Sequence, residues 1–131
     1  MSGHEDDINC VRAFGGGLGV ASGSDDATVR LWDVRARRAR QVFEPRPESS
    51  TLPSYNALSG VTAIDFTARG RYLLATADDG TLRVWDVASG ALELCTTPAD
   101  GSSYRLSSVA VSPDGLAVAT SGWGSCTLHV W

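Results

Sequence analysis

Two pairs of adjacent carboxylates, Asp25-Asp26 and Asp78-Asp79, are the residues of this sequence best suited to do chemistry. Such pairs serve general acid–base catalysis or hold a divalent cation. Either task needs partners. The two histidines, His4 and His129, are far apart, and the three cysteines, Cys10, Cys95 and Cys126, stand at wide spacings without a CxxC. No metal site assembles from those spacings, and the GxSxG, GxGxxG, P-loop and HExxH signatures are missing. The expectation is a chain that is not an enzyme and that uses no cofactor and no metal. An odd number of cysteines argues against a disulfide framework and for buried free thiols in a reducing compartment.

Three other features invite a functional reading. Trp123 stands in Ser121-Gly122-Trp123-Gly124-Ser125, a stretch too rich in glycine for a strand interior, so a large aromatic there is expected at the surface. Exposed Trp beside charges is common at protein interfaces; the competing reading is a Trp folded over its own turn. The basic run Arg35-Ala36-Arg37-Arg38-Ala39-Arg40 could contact phosphate or act as a nuclear-localisation signal, but charge on an exposed outer strand also deters sheet-to-sheet aggregation, and that reading is favoured. Glu44 to Leu58, with three prolines, reads as a mobile loop and a phosphorylation target. The net charge of −4 disfavours wholesale nucleic-acid binding, and no apolar run approaches the roughly 18 residues that cross a bilayer. The polar, acidic start Met1-Ser2-Gly3-His4-Glu5-Asp6-Asp7 does not read as a secretory signal, so a cytoplasmic location is expected.

The carboxylate pairs change meaning once the elements around them are compared. Asp25 to Val34 and Asp78 to Val87 are identical at seven of ten positions, at an offset of 53. A weaker third copy, Thr127-Leu128-His129-Val130-Trp131, matches Thr81 to Trp85 at four of five positions, at an offset of 46. Upstream of each copy come an apolar or alternating run (Ile8 to Phe14, Val61 to Phe66, Leu106 to Val111), a turn (Gly15-Gly16-Gly17, Thr67-Ala68-Arg69-Gly70, Ser112-Pro113-Asp114-Gly115) and a small-residue strand (Leu18 to Ser24, Tyr72 to Ala77, Leu116 to Ser121). Short β-runs punctuated by Gly, Pro and Asp predict an antiparallel meander, and the small residues suggest a crowded axis where sheets converge. No segment keeps a helical period. Repeated carboxylates are therefore expected to be turn residues first, with no active site between them.

The Gly3-His4 pair followed by Trp32-Asp33 resembles the WD40 family. The resemblance implies an all-β fold of three four-stranded antiparallel blades, a partial arc of a seven-bladed β-propeller. It divides the chain into a blade over 1–44, an extended loop over 45–58, a blade over 59–97, and a blade over 98–131 lacking its outer strand. It also implies a structural tetrad of His, Ser or Thr, turn Asp and strand Trp. His4, Ser22, Asp26 and Trp32 complete the set in the first blade; the second keeps Asp79 and Trp85 but has Ala75 at the hydroxyl position. The third keeps Thr120 and Trp131, with Ser102 where the His would be. More narrowly, Gly3 to Asn9, Gly23 to Ala36 and Gly115 to Thr120 are similar to the last three blades of heterotrimeric G-protein beta subunits. That similarity implies a protein–protein interaction module in signal transduction. Its partners would be alpha and gamma subunits and effectors, with no nucleic acid and no small-molecule substrate. It would meet the inner face of the plasma membrane only through a lipidated partner. The implied partner-binding residues are Asp7, Asn9, Asp25, Arg105 and Trp123. Because three blades do not make a ring, the chain is expected to be a C-terminal fragment. The other reading is a WD40 scaffold or adaptor in an unrelated complex, or a fragment without a function of its own.

Overall fold

The computed structural model describes residues 2–17, 19–45, 59–98, 105–124 and 128–130. They form three antiparallel sheets, each a meander whose strands pair in sequence order. The first sheet comprises β1 (Ile8–Phe14), β2 (Gly19–Ser24), β3 (Val29–Asp33) and β4 (Arg38–Phe43). The second comprises β5 (Val61–Phe66), β6 (Tyr72–Ala77), β7 (Leu82–Asp86) and β8 (Leu92–Thr96). The third comprises β9 (Leu106–Val111), β10 (Val118–Gly122) and β11 (Leu128–Val130), three strands among the described residues. The architecture is all-β, three consecutive blades of a propeller arc.

Turn chemistry sets the meanders. Ser112-Pro113-Asp114-Gly115 closes with the Gly115 amide donating to the Ser112 carbonyl at 2.8 Å, and proline suits the second position of such a turn. The Asp114 carboxylate accepts the Leu116 amide, which holds Leu116 and Ala117 in the turn, so β10 starts at Val118 and not at Leu116. The turn between β2 and β3 places its fourth residue, Ala27, at φ 67°, and the corresponding residue of the second sheet, Gly80, has φ 78°. Glycine adopts that left-handed conformation freely, whereas alanine is strained in it.

The sheets stack on their first strands: β1 packs against β5, and β5 against β9. The small-residue second strands are buried but flank this seam, so the first strands, and not the second, run along the convergence of the sheets. One apolar cluster (Val29, Leu31, Phe43, Val61, Ile64, Leu73, Trp85) fills the space between the first and second sheets. Another (Leu74, Leu82, Leu106, Val109) fills that between the second and third. Each such side chain contributes about 1.5–3 kcal/mol when taken fully from water. Position within the arc decides burial. Val11 is 68% exposed, whereas Ile64 and Val109, which occupy the same place in the second and third sheets, are 4% and 5% exposed.

Candidate functional site

The first sheet holds a hydrogen-bond relay built from three of its segments. His4, on the approach to β1, places Nδ1 2.7 Å from Asp26 Oδ2 and Nε2 2.7 Å from Ser22 Oγ. The Trp32 indole Nε1 donates to the same Ser22 oxygen at 2.7 Å. With Nδ1 donating to the carboxylate, Nε2 of a neutral ring accepts the Ser22 hydroxyl proton. Burial acts to raise the pKa of Asp26, but hydrogen bonds from the Thr28 hydroxyl, the Glu5 amide, His4 and the Thr28 amide outweigh it. They hold the carboxyl well below the usual carboxylate range. Every polar atom of the relay is engaged within the fold. It is built to fix strands, not to transfer protons to a ligand.

The second sheet solves the same problem differently. Thr81 donates its amide and hydroxyl to Asp79 Oδ1 at 3.0 and 2.5 Å, as Thr28 does to Asp26. The second Asp79 oxygen is taken by Arg83 Nη2 at 2.7 Å, with the guanidinium 2% exposed. Ala75 offers no hydroxyl, and the Trp85 indole reaches the Glu44 carbonyl of the preceding sheet at 3.4 Å. In the third sheet Thr120 is buried. Ser102 and Trp131 lie outside the described residues.

The five sequence-derived contact residues fall on three repeat-equivalent positions at one end of the sheets. The amide just after β2, β6 or β10 donates to the carbonyl just ahead of β1, β5 or β9: Asp25 to Asp7 at 2.9 Å, Asp78 to Gly60 at 3.0 Å, Trp123 to Arg105 at 2.8 Å. The same positions meet across the seams. A Cβ on Gly60 would collide with the Asp25 carboxylate, and Arg105 Nε pairs with Asp78 Oδ1 at 2.5 Å. A third set sits at the bulge in each first strand, where the register shifts at Asn9, Thr62 and Ser107. A bulge re-aims a side chain. Here Asn9 Nδ2 donates to the Val61 carbonyl at 3.1 Å and Thr62 Oγ1 to the Leu106 carbonyl at 2.6 Å, so each ties its sheet to the next. Asn9 Nδ2 also donates to Asp25 Oδ1 at 2.6 Å.

Asp25, expected to contact partners, is thus a seam residue as well, and so is its counterpart Asp78. Asp7 and Arg105 are exposed, and Trp123 is 73% exposed on the turn after β10. Sequence reasoning missed Thr62, Asp65 and Arg83. Asp65 accepts from Arg12 at 3.1 Å and from the Val111 amide at 2.9 Å, linking all three sheets. The offset of 53 that relates Asn9 to Thr62 was the available signal. His129 alternates with expected core positions on the last strand, which predicts that it is exposed; instead it is half-buried while its neighbours Leu128 and Val130 are exposed. Their counterparts Leu82 and Val84 pack against the third sheet, and no described residue lies over β11 in the same way.

The arginines of the 35–40 run are exposed on the turn after β3 and on β4. The region 46–58 and Cys126 lie outside the described residues. Burial pushes the Cys10 thiol up to about 11. Among the described residues no cluster of three or more His, Cys, Asp or Glu could hold a metal, and no helix is long and apolar enough to cross a membrane.

Comparison with known proteins finds three copies of one repeat along the chain. The family model for the WD domain, G-beta repeat, matches residues 1–33, 49–86 and 93–131. The chain is 37% identical over 131 residues to a guanine nucleotide-binding protein subunit beta of Arabidopsis thaliana, covering 98% of this chain and 33% of that protein. It is 40% identical over 124 residues to the subunit beta-2 of Caenorhabditis elegans (95% of this chain, 30% of that protein). Against the subunit beta of Saccharomyces cerevisiae identity is 29% over 154 residues (98% and 36%). The chain spans about a third of the length of these relatives. With three matched repeats that together cover most of its length, the chain belongs to the WD40 repeat family.

Proposed function

We propose that the chain is a non-enzymatic docking module of G-protein beta type, binding an alpha subunit and effectors in signal transduction. A gamma subunit would clamp the assembly. The observation that carries the reading is the grouping of Asp7, Asn9, Asp25, Arg105 and Trp123 at equivalent positions on one end of the sheets, with Trp123 projecting from it. Residues 1–44, 59–97 and 98–131 then act as three blades, with 45–58 a connecting loop. A rigid platform suits this task, because the seam bonds hold the presented side chains before any partner arrives and lower the cost of ordering them on binding. Attachment at the inner face of the plasma membrane would come through a lipidated partner, with the chain otherwise cytoplasmic. The test is the affinity of a GDP-loaded alpha subunit for the protein and its Trp123→Ala variant. A central aromatic anchor predicts a loss of about 2 kcal/mol or more. Unchanged affinity in the Asp7→Ala/Trp123→Ala double variant overturns the assignment.

A further inference from the structure

At the end of the sheets opposite the proposed docking face, the first two sheets part to leave a cleft of about 780 Å3. Its lining combines Phe14 and Phe66 with Arg12 and Arg40 of the first sheet and Arg69 and Arg71 of the second. The two phenylalanine rings lie against each other, centroids 4.9 Å apart and planes 30° apart. Two of the four guanidiniums are already neutralised: Arg12 by Asp65 at 3.1 Å, and Arg71 by Asp86 at 3.6 Å. Arg40 and Arg69 are exposed, on β4 and on the turn after β5, and neither has a partner among the described residues. Gly15, Gly16 and Gly70, also in the lining, would meet nothing within 4 Å if they carried a Cβ, so the backbone there stands open.

We propose that this cleft is a binding site for an aryl phosphate, with the ring on the Phe14–Phe66 pair and the phosphoryl group between Arg40 and Arg69. The charge fits: two free guanidiniums face a group that carries about −1.5 to −2 at pH 7. The chemistry fits as well, because guanidinium forks match phosphate oxygens and offset aromatic stacking favours a flat ring. A carboxylate carries a single charge and leaves one of the two guanidiniums unbalanced. The volume lies within the ~300–1,000 Å3 typical of small-ligand sites. Both walls belong to this chain, so the site does not depend on any other part of an assembly. The aryl phosphate is either a free small molecule or the phosphotyrosine side chain of a partner.

The test titrates the full chain with phenyl phosphate, followed by calorimetry. Saturable binding is expected, with inorganic phosphate at least about tenfold weaker, equivalent to about 1.4 kcal/mol. Arg40→Ala/Arg69→Ala should lose at least about tenfold, while Arg35→Ala, a charge control outside the cleft, should bind as the unsubstituted chain does. Unchanged far-ultraviolet circular dichroism shows that the double variant is folded. A phosphotyrosine peptide binding more tightly than phenyl phosphate assigns the side-chain source, and equal affinity assigns the free ligand. No binding of phenyl phosphate, equal binding of inorganic phosphate, or undiminished affinity in the folded double variant overturns the site.

Discussion

The first and second sheets share seven of ten residues around their tryptophans, yet they stabilise that region by opposite means. The first carries a hydrogen-bonded relay from the Asp26 carboxylate through His4 and Ser22 to Trp32, and tolerates strain at its turns, with Ala27 at φ 67° and Arg37 at φ 52°. The second has relaxed turns, with Gly80 and Gly90 at the same places, but replaces the relay with a buried ion pair between Asp79 and Arg83. Arg30, which corresponds to Arg83, is kept away from Asp26 because the His4 segment covers that carboxylate, and Gly3 lies against the Arg30 guanidinium. One arginine position thus has two fates, decided by whether a histidine reaches the turn. A repeat conserves the job of anchoring the turn to the strands, while the atoms that do it are exchangeable.

Removing Arg83 should have the largest effect. Arg83→Ala leaves Asp79 ionised and almost fully enclosed, and losing one partner of a buried pair typically costs about 3–5 kcal/mol. Urea unfolding of the two proteins measures it; a cost below about 1 kcal/mol would show the pair to be hydrated and the contrast between the sheets illusory.

The Asp26 relay should be weaker and should depend on pH. Asp26→Asn is expected to cost about 1–3 kcal/mol at neutral pH, since it weakens several hydrogen bonds to a charged acceptor. The native pKa lies below the unfolded value of about 3.9, so the stabilisation from ionised Asp26 is complete above that pH. It drains away as pH falls further, towards the native pKa. The gap between Asp26→Asn and the unsubstituted chain should therefore be constant from pH 7 to about 5 and close in stronger acid. A gap that does not narrow between about pH 5 and pH 2, where the unfolded carboxyl becomes fully protonated, would contradict the assignment of Asp26 as the ionised member.

The turns give the smallest and most reciprocal test. Ala27→Gly should stabilise the chain by about 1 kcal/mol by relieving a left-handed alanine, and Gly80→Ala should destabilise it by at least as much. Thermal melts showing both changes with the same sign would break the comparison at the level of backbone strain.

Much of this was legible in the sequence. Periodicity placed β1, β5, β6 and β9 with the bounds the structure shows, because alternating apolar runs between Gly and Pro turns leave the chain few alternatives. The residues of the His4 relay could be named because each belongs to a repeated motif. Arg83 could not, since its burial depends on Ala75 and Asp79 across two strands, and a charged residue in an alternating strand ordinarily reads as solvent-facing. The seam roles of Asn9, Thr62 and Asp65 were equally hidden: they arise between sheets, where a one-residue bulge decides which way a side chain points. His129 was misplaced because strand alternation says which residues share a face but not which face has a neighbour.

The bulges of the first strands give the arc a sense of direction. Asn9 and Thr62 each reach forward to a carbonyl of the next sheet. At the bulges each sheet offers a donor to the sheet after it and an acceptor to the sheet before it, while the Val111 amide and the Trp85 indole reach back the other way. Contacts of this kind are heterologous, and a series of them either closes into a ring or continues as an open fibre. Polarity of that sort also constrains mutation: a change at Thr62 is felt by the third sheet before the first. A further sheet that continues this row of bulge bonds at either flank must arrive in one orientation, with its own bulge hook or its own waiting carbonyl.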